Sequence, residues 1–318
     1  MSSFLRFLPK PLLRLDHKRE KPESAQSASA DPSPKESVLT WFQHVSSRPA
    51  RACAMVIHGL NLNPCRMNEI VSLLNDNDID VMLLSLSGHA MRSDGRDSKS
   101  DQAKRLNAFK TVSYPGWREE VKTAYQELAA RAQAQSCPVY LVAYSLGGLM
   151  GCDFLLHQPQ PVFEKMVLFA PAIAPHRIRV PFLKTLYLFP RLVVPSLSPR
   201  HYRANRGTPI AAYLALLEAA RSFKQRIDQR LNIPTLVFID KKDELVSYGK
   251  LKKLIALHSL DQWQMVPIRR NPDQMAFPFH HLIIDARSAG EHFWQTITSK
   301  IAEHLVSSDS PSITSKME

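Results

Sequence analysis

The chain has 318 residues, of which 44% are hydrophobic and 22% charged, and it carries a net charge of +12. This is the composition of a globular protein with room for one sizeable α/β domain and an insertion, and no apolar run is long enough to span a membrane. Four cysteines (Cys53, Cys65, Cys137, Cys152) form no CxxC pair and have no histidine at metal-ligand spacing, which argues against a disulfide framework or a zinc site and favours a reducing, cytoplasmic setting.

In chain order, residues 1–36 come first as a leader. Residues 1–21 mix apolar and basic side chains with a net charge of +4, and two prolines oppose a regular amphipathic helix there. Residues 16–36 are Lys-, Glu-, Ser-, Ala- and Pro-rich with little to bury, as in a flexible linker. Globular patterning starts near Ser37. Ala52–Ile57 reads as a buried strand, Met67–Asn75 as a helix and Asp80–Leu86 as the next strand, while residues 92–105 look polar and loop-like. Trp117–Gln135 has the 3.6-residue apolar period of a helix. Strand 139–144, helix 146–157 and strand 166–170 follow. An insertion then covers about residues 174–230, with a net charge of +9. Strand 234–239, helix 248–257, strand 263–268 and helix 291–306 complete the domain (residues 37–306), and residues 307–318 form a polar tail. Short apolar strands alternating with helices imply a mostly parallel sheet covered on both faces.

The insertion holds most of the positive charge. Its first part, Val180–Val194, mixes large apolar residues with two cations, which suits either the core of a cap or an acyl-chain wall that touches a membrane. Basic patches attract anionic partners, but no nucleic-acid motif accompanies this one, so nucleic acid is discounted. Peripheral contact of leader and cap with an anionic membrane is the expectation.

The chemistry centres on Ala143-Tyr144-Ser145-Leu146-Gly147, between a buried strand and a helix. A tight turn there exposes a strained serine, and small residues two before and two after it let strand and helix approach. His58-Gly59-Leu60 follows the first buried strand, where the Leu60 N–H can pair with the Leu146 N–H to hold an oxyanion. Asp240, Asp243 and Glu244 follow strand 234–239, and Asp243 is the favoured acid of the three. His280 and His281 follow the last strand, completing the order Ser…Asp…His.

Together these pieces resemble a serine hydrolase of the α/β-hydrolase superfamily, in the monoacylglycerol lipase and bacterial carboxylesterase branch. The matching residues are His58-Gly59-Leu60, Leu86-Ser87-Gly88-His89, Trp117, Tyr144-Ser145-Leu146-Gly147-Gly148, Asp243-Glu244-Leu245-Val246, and His280 with Asp285 five residues on. The resemblance implies the α/β-hydrolase fold with an inserted cap. It also implies a Ser145–His280–Asp243 triad, no metal or organic cofactor, and a small-molecule acyl ester such as a monoacylglycerol or lysophospholipid as substrate. His280 is preferred over His281 because the family carries an acid five places after its histidine. The chain departs from the family at Ala143, in its unmatched leader, and in having room for only six or seven strands. The same triad also serves acyltransferases and thioesterases, and a silent binding protein on this fold is a third reading.

Overall fold

The computed structural model describes residues 37–90, 97–176, 188–269 and 277–306. The leader, the C-terminal tail and residues 177–187 of the insertion, with the first part of the apolar stretch from Val180 to Val194, lie outside them.

Strands buried along nearly their whole length need cover on both sides, and five such strands form the middle of one sheet. The strands are β1 (Val38–Phe42), β2 (Ala52–Ile57), β3 (Ile79–Ser85), β4 (Val139–Tyr144), β5 (Lys165–Phe169), β8 (Thr235–Asp240) and β9 (Trp263–Ile268). Between them in sequence lie β6 (Val193–Pro195) and β7 (Gly207–Pro209), which pair only with each other. The seven-stranded sheet has the order β1-β3-β2-β4-β5-β8-β9. β1 runs antiparallel to β3, and every other pairing is parallel. Seven strands agree with the sequence reading, and among the described residues one strand, β1, precedes Ala52.

Alternate residues of β2 feed opposite cores. Cys53, Met55 and Ile57 pack with Val121, Leu149 and Ala215, whereas Ala52, Ala54 and Val56 pack with Ile70, Ile297 and Ile301. The first face is therefore covered by α3 (Tyr114–Gln135), α4 (Leu146–Leu156) and α5 (Ile210–Arg226), and the second by α1 (Asn68–Asp76) and α8 (Glu291–Val306). Two short elements, α6 (Tyr248–Leu257) and α7 (Ala286–Ala289), flank the strands at the C-terminal end of the chain.

Beyond the β6–β7 pair, which the sequence reading does not contain, two helices depart from it. Residues 99–109 form a helix, α2 (Lys99–Phe109), where a polar loop is expected from composition. Ser98 and Asp101 make a reciprocal capping box, and only Arg105 and Phe109 are buried, so the helix rests on its cap rather than on an apolar stripe. α3 starts at Tyr114 because Ser113 caps it and Pro115 occupies its first turn.

The loops after β2, β4, β8 and β9 all leave the carboxyl ends of parallel strands and so share one edge of the sheet, where open α/β sheets build their sites. At the centre of that edge α4 starts directly over the end of β2. A Cβ on Gly147 would collide with the Ile57 carbonyl and stand 2.8 Å from His58 O. Gly147→Ala is therefore expected to cost at least about 3 kcal/mol of stability, since backbone cannot move aside as a side chain can. Urea unfolding of the purified variant measures this, and a loss below about 1 kcal/mol would contradict the close approach.

Candidate active site

Ser145 caps the N-terminus of α4 with φ 52° and ψ −109°, a left-handed conformation unusual for a residue with a Cβ. Backbone bonds hold it there. Its N–H donates to Phe169 O at 2.9 Å, and its carbonyl accepts from Ala172 and Leu149 at 2.9 and 3.1 Å. The sharp turn lifts the side chain off the strand end, and the residue is 7% exposed. Ala143, two residues before, lies in the buried sheet between Ile57 and Leu168, where a small residue suffices.

His281 Nε2 lies 2.8 Å from Ser145 Oγ, and His281 Nδ1 lies 2.8 Å from Asp243 Oδ2. The other carboxylate oxygen of Asp243 accepts from the Leu245 and Val246 N–H groups, both at 2.8 Å. Because that carboxylate accepts at Nδ1, the ring proton sits there and Nε2 keeps its lone pair for the serine hydroxyl. The tilted Tyr144 ring packs against the imidazole with centroids 5.2 Å apart, and the Tyr144 hydroxyl donates to His281 O.

His280, the base expected from the resemblance, stands elsewhere. Its Nδ1 lies 2.8 Å from Asp240 Oδ2. The two neighbouring rings meet different carboxylates, and only that of His281 reaches the serine. The five-residue spacing to Asp285 does not mark that one. Asp285 instead accepts from the Tyr202 hydroxyl at 2.8 Å and caps α7. Glu244 is a further participant that residue type alone does not reveal. Its two oxygens accept from the His280 and His281 N–H groups at 2.7 and 2.9 Å, which ties the histidine loop to the acid loop. The one hint in the sequence is its place directly after Asp243.

Leu146 is the first residue of α4, so its N–H belongs to the unpaired helix start. The loop carrying Leu60 lies beside it, since a Cβ on Gly59 would be 3.3 Å from Ser145 Cβ. The Leu60 N–H and the Gly59 C=O share one planar peptide and point in opposite directions. That carbonyl accepts from His58 Nδ1 at 2.8 Å and from Leu62 N–H at 3.1 Å, so its two donors set the direction of the Leu60 N–H.

His58 is fully buried, and its Nε2 accepts from the Leu86 N–H at 3.0 Å, so Nδ1 carries the proton. The His89 ring packs against it at a tilt, with ring centroids 4.5 Å apart, and its Nε2 accepts from the Asn61 N–H at 2.9 Å. Burial lowers the pKa of His58 to about 4 and that of His89 well below the usual range, with the neighbouring ring lowering the latter further. Both rings are neutral at neutral pH and act as acceptors that a proton would abolish.

The buried serine at its sharp turn and the imidazole aligned by a carboxylate, on this mostly parallel sheet, define a hydrolase of the α/β-hydrolase class. The chain belongs to the family described as serine aminopeptidase S33 (Hydrolase_4), whose model matches residues 48–208, just over half of it. Among solved structures it is similar to a monoglyceride lipase from Saccharomyces cerevisiae, at 10% identity and TM-score 0.66, over 92% of this chain and 97% of that one. It is also similar to the monoacylglycerol lipase of Paleococcus ferrophilus, at 16% identity and TM-score 0.61, over 85% and 99%. A structure from the metagenome-derived lipolytic enzymes LipS and LipT matches at 16% identity and TM-score 0.62, over 83% and 96%. At these identities the likeness is one of fold. No curated protein sequence matches the chain.

The two histidines make stability depend on pH. With folded-state values below the ordinary 6.5, the unfolded chain binds more protons once pH falls below about 6.5. Their contribution is complete above that pH and is lost as pH falls toward about 4. Urea melts from pH 7 to pH 4 should lose on the order of 3 kcal/mol through His58. His58→Asn should flatten that slope, and an unchanged slope would show that the ring is not held neutral.

Proposed function

We propose that this protein hydrolyses carboxylic esters through an acyl-enzyme on Ser145. The observation that carries the proposal is the unbroken line from Asp243 through His281 to Ser145, with two contacts of 2.8 Å. Ser145 Oγ bonds to the acyl carbonyl carbon as its proton passes to His281 Nε2. The tetrahedral oxyanion is held by the Leu60 and Leu146 N–H groups. His281 returns the proton to the departing alcohol as the ester bond breaks. Water then attacks the acyl-enzyme by the same route, releasing the acid and restoring the serine. Asp243 orients His281 and stabilises its charged form, and no step requires a metal or organic cofactor.

The family description names a peptidase, whereas similar folds bear the names of lipases and esterases, and an ester reading follows the latter. A lipid-like substrate such as a monoacylglycerol or lysophospholipid is favoured by the surface of the insertion. Leu188, Phe189 and Leu197 are 76%, 60% and 54% exposed, with Leu192 also exposed. Arg191, Arg200 and Arg206 are exposed among and beyond them. Apolar side chains beside cations suit an anionic membrane surface, from which such a substrate would be drawn.

A panel of p-nitrophenyl esters tests the chemistry. Ser145→Ala and His281→Ala should each lower kcat/KM by roughly 10⁴-fold, and His280→Ala by less than about 10-fold. Equal losses for both histidines, or a larger one for His280, would overturn the assignment. For the membrane surface, binding to vesicles containing phosphatidylglycerol should weaken as salt rises and on replacing Phe189 and Leu192 by serine. Equal affinity for neutral vesicles would refute it.

A further inference from the structure

The loop that carries Leu60 is sewn to the inserted segment. Leu62 and Arg203 form an antiparallel bridge. The Asn63 N–H donates to Tyr202 O at 2.8 Å, and the Ala204 N–H donates to Asn61 O at 2.9 Å. At the centre is Asn61, which is 5% exposed and has φ 55°. Its Oδ1 accepts from the Asn205 N–H at 2.9 Å, and its Nδ2 donates to Asn205 O at 3.2 Å. Its own N–H donates to His89 Nε2. Every polar group of this side chain and peptide therefore has a partner, and three of the four partners belong to the insertion. The Asn205 side chain extends the connection by donating to Gly88 O at 2.8 Å.

A left-handed residue in a loop needs only glycine or asparagine. The pair of hydrogen bonds between the Asn61 amide and the backbone of Asn205 is not explained by that need. It joins two segments 144 residues apart.

We propose that Asn61 is a positioning residue that makes residues 202–205 of the insertion a structural part of the oxyanion hole. Leu60 sits between Gly59, whose carbonyl is held by His58 and Leu62, and Asn61, which is held by His89 and the insertion. The Leu60 N–H cannot swing without breaking bonds at one end or the other. A donor fixed before the reaction stabilises developing charge without reorganising, so its worth depends on that rigidity. If residues 202–205 lift away, the donor loses its aim even though the serine, histidine and aspartate keep theirs. The proposal rests on the acyl-enzyme reading for its chemistry, though not for the linkage between the two segments.

Two variants of the full chain separate the possibilities. Asn61→Gly keeps the left-handed backbone accessible and removes both side-chain bonds. Asn205→Ala removes only the bond to Gly88. On p-nitrophenyl butyrate, Asn61→Gly should lower kcat by roughly 10- to 100-fold with KM changed less than about 3-fold, because the bond acts on the transition state. Asn205→Ala should fall in the same direction by a smaller factor, and it carries the test if Asn61→Gly does not fold. Hydrogen exchange gives a readout independent of turnover. Amides of residues 58–63 and 202–206 should exchange faster together in Asn61→Gly, while those of α3 and β4 keep wild-type rates. Unchanged kcat in both variants, a rise in KM alone, or faster exchange in only one segment would each overturn the proposal. If wild-type protein turns over no ester, the acyl-enzyme reading falls, and the exchange result alone decides whether the two segments act as one unit.

Discussion

The start of α4 lies against the end of β2, closer than any side chain at position 147 would allow, and most of the site follows from that contact. Because the helix begins so close to the sheet, the chain must turn sharply at Ser145, and the turn forces a positive φ on a residue with a Cβ. The same closeness brings the Gly59 loop against the serine and places the first N–H of α4 beside it. A looser helix start would give an ordinary serine at a helix cap, with no strained side chain and no neighbouring donors. The strain is offset by backbone bonds to Phe169 and from Ala172, at and just beyond the end of the neighbouring strand β5, and by the first bond of α4 from Leu149.

Around this centre the site is held by neutral or fully paired groups. His58 and His89 are buried where a charge would be costly, so they stay neutral and accept backbone N–H bonds. Asp243 is buried with both oxygens bonded, so its carboxylate is spent on orientation rather than left for solvent. Glu244 performs the same service for the loop as a whole by receiving two successive backbone N–H groups. The geometry is thus fixed by the protein's own groups.

Much of the fold was legible because it depends on local pattern. The strands at 52–57 and 139–144 are apolar without interruption, and the helix at 291–306 keeps its period, so each can be read without its neighbours. The helix at 99–109 was not legible, since its polar sequence hides a capping box whose worth shows only in three dimensions. The β6–β7 pair was missed for a related reason: three residues on each strand carry too short a pattern to read. Ser145 and Asp243, which the structure joins through His281, stand where chain order puts a serine and an acid. His281 was not separable from His280, because both have the same chemistry and the spacing to Asp285 points to the ring that does not meet the serine.

The amino-acid sequence by itself determined the layered α/β architecture, the small residues that permit the serine turn, and the order of serine, acid and histidine along the chain. These depend on local apolar period, residue size and position relative to strand ends. Tertiary structure alone decided which histidine faces the serine, that Glu244 ties two loops together, and that Asn61 meets Asn205. The reason is physical. Each of these depends on the direction of a side chain relative to a segment tens to more than a hundred residues away, and direction across such a distance is set by how the strands register and pack.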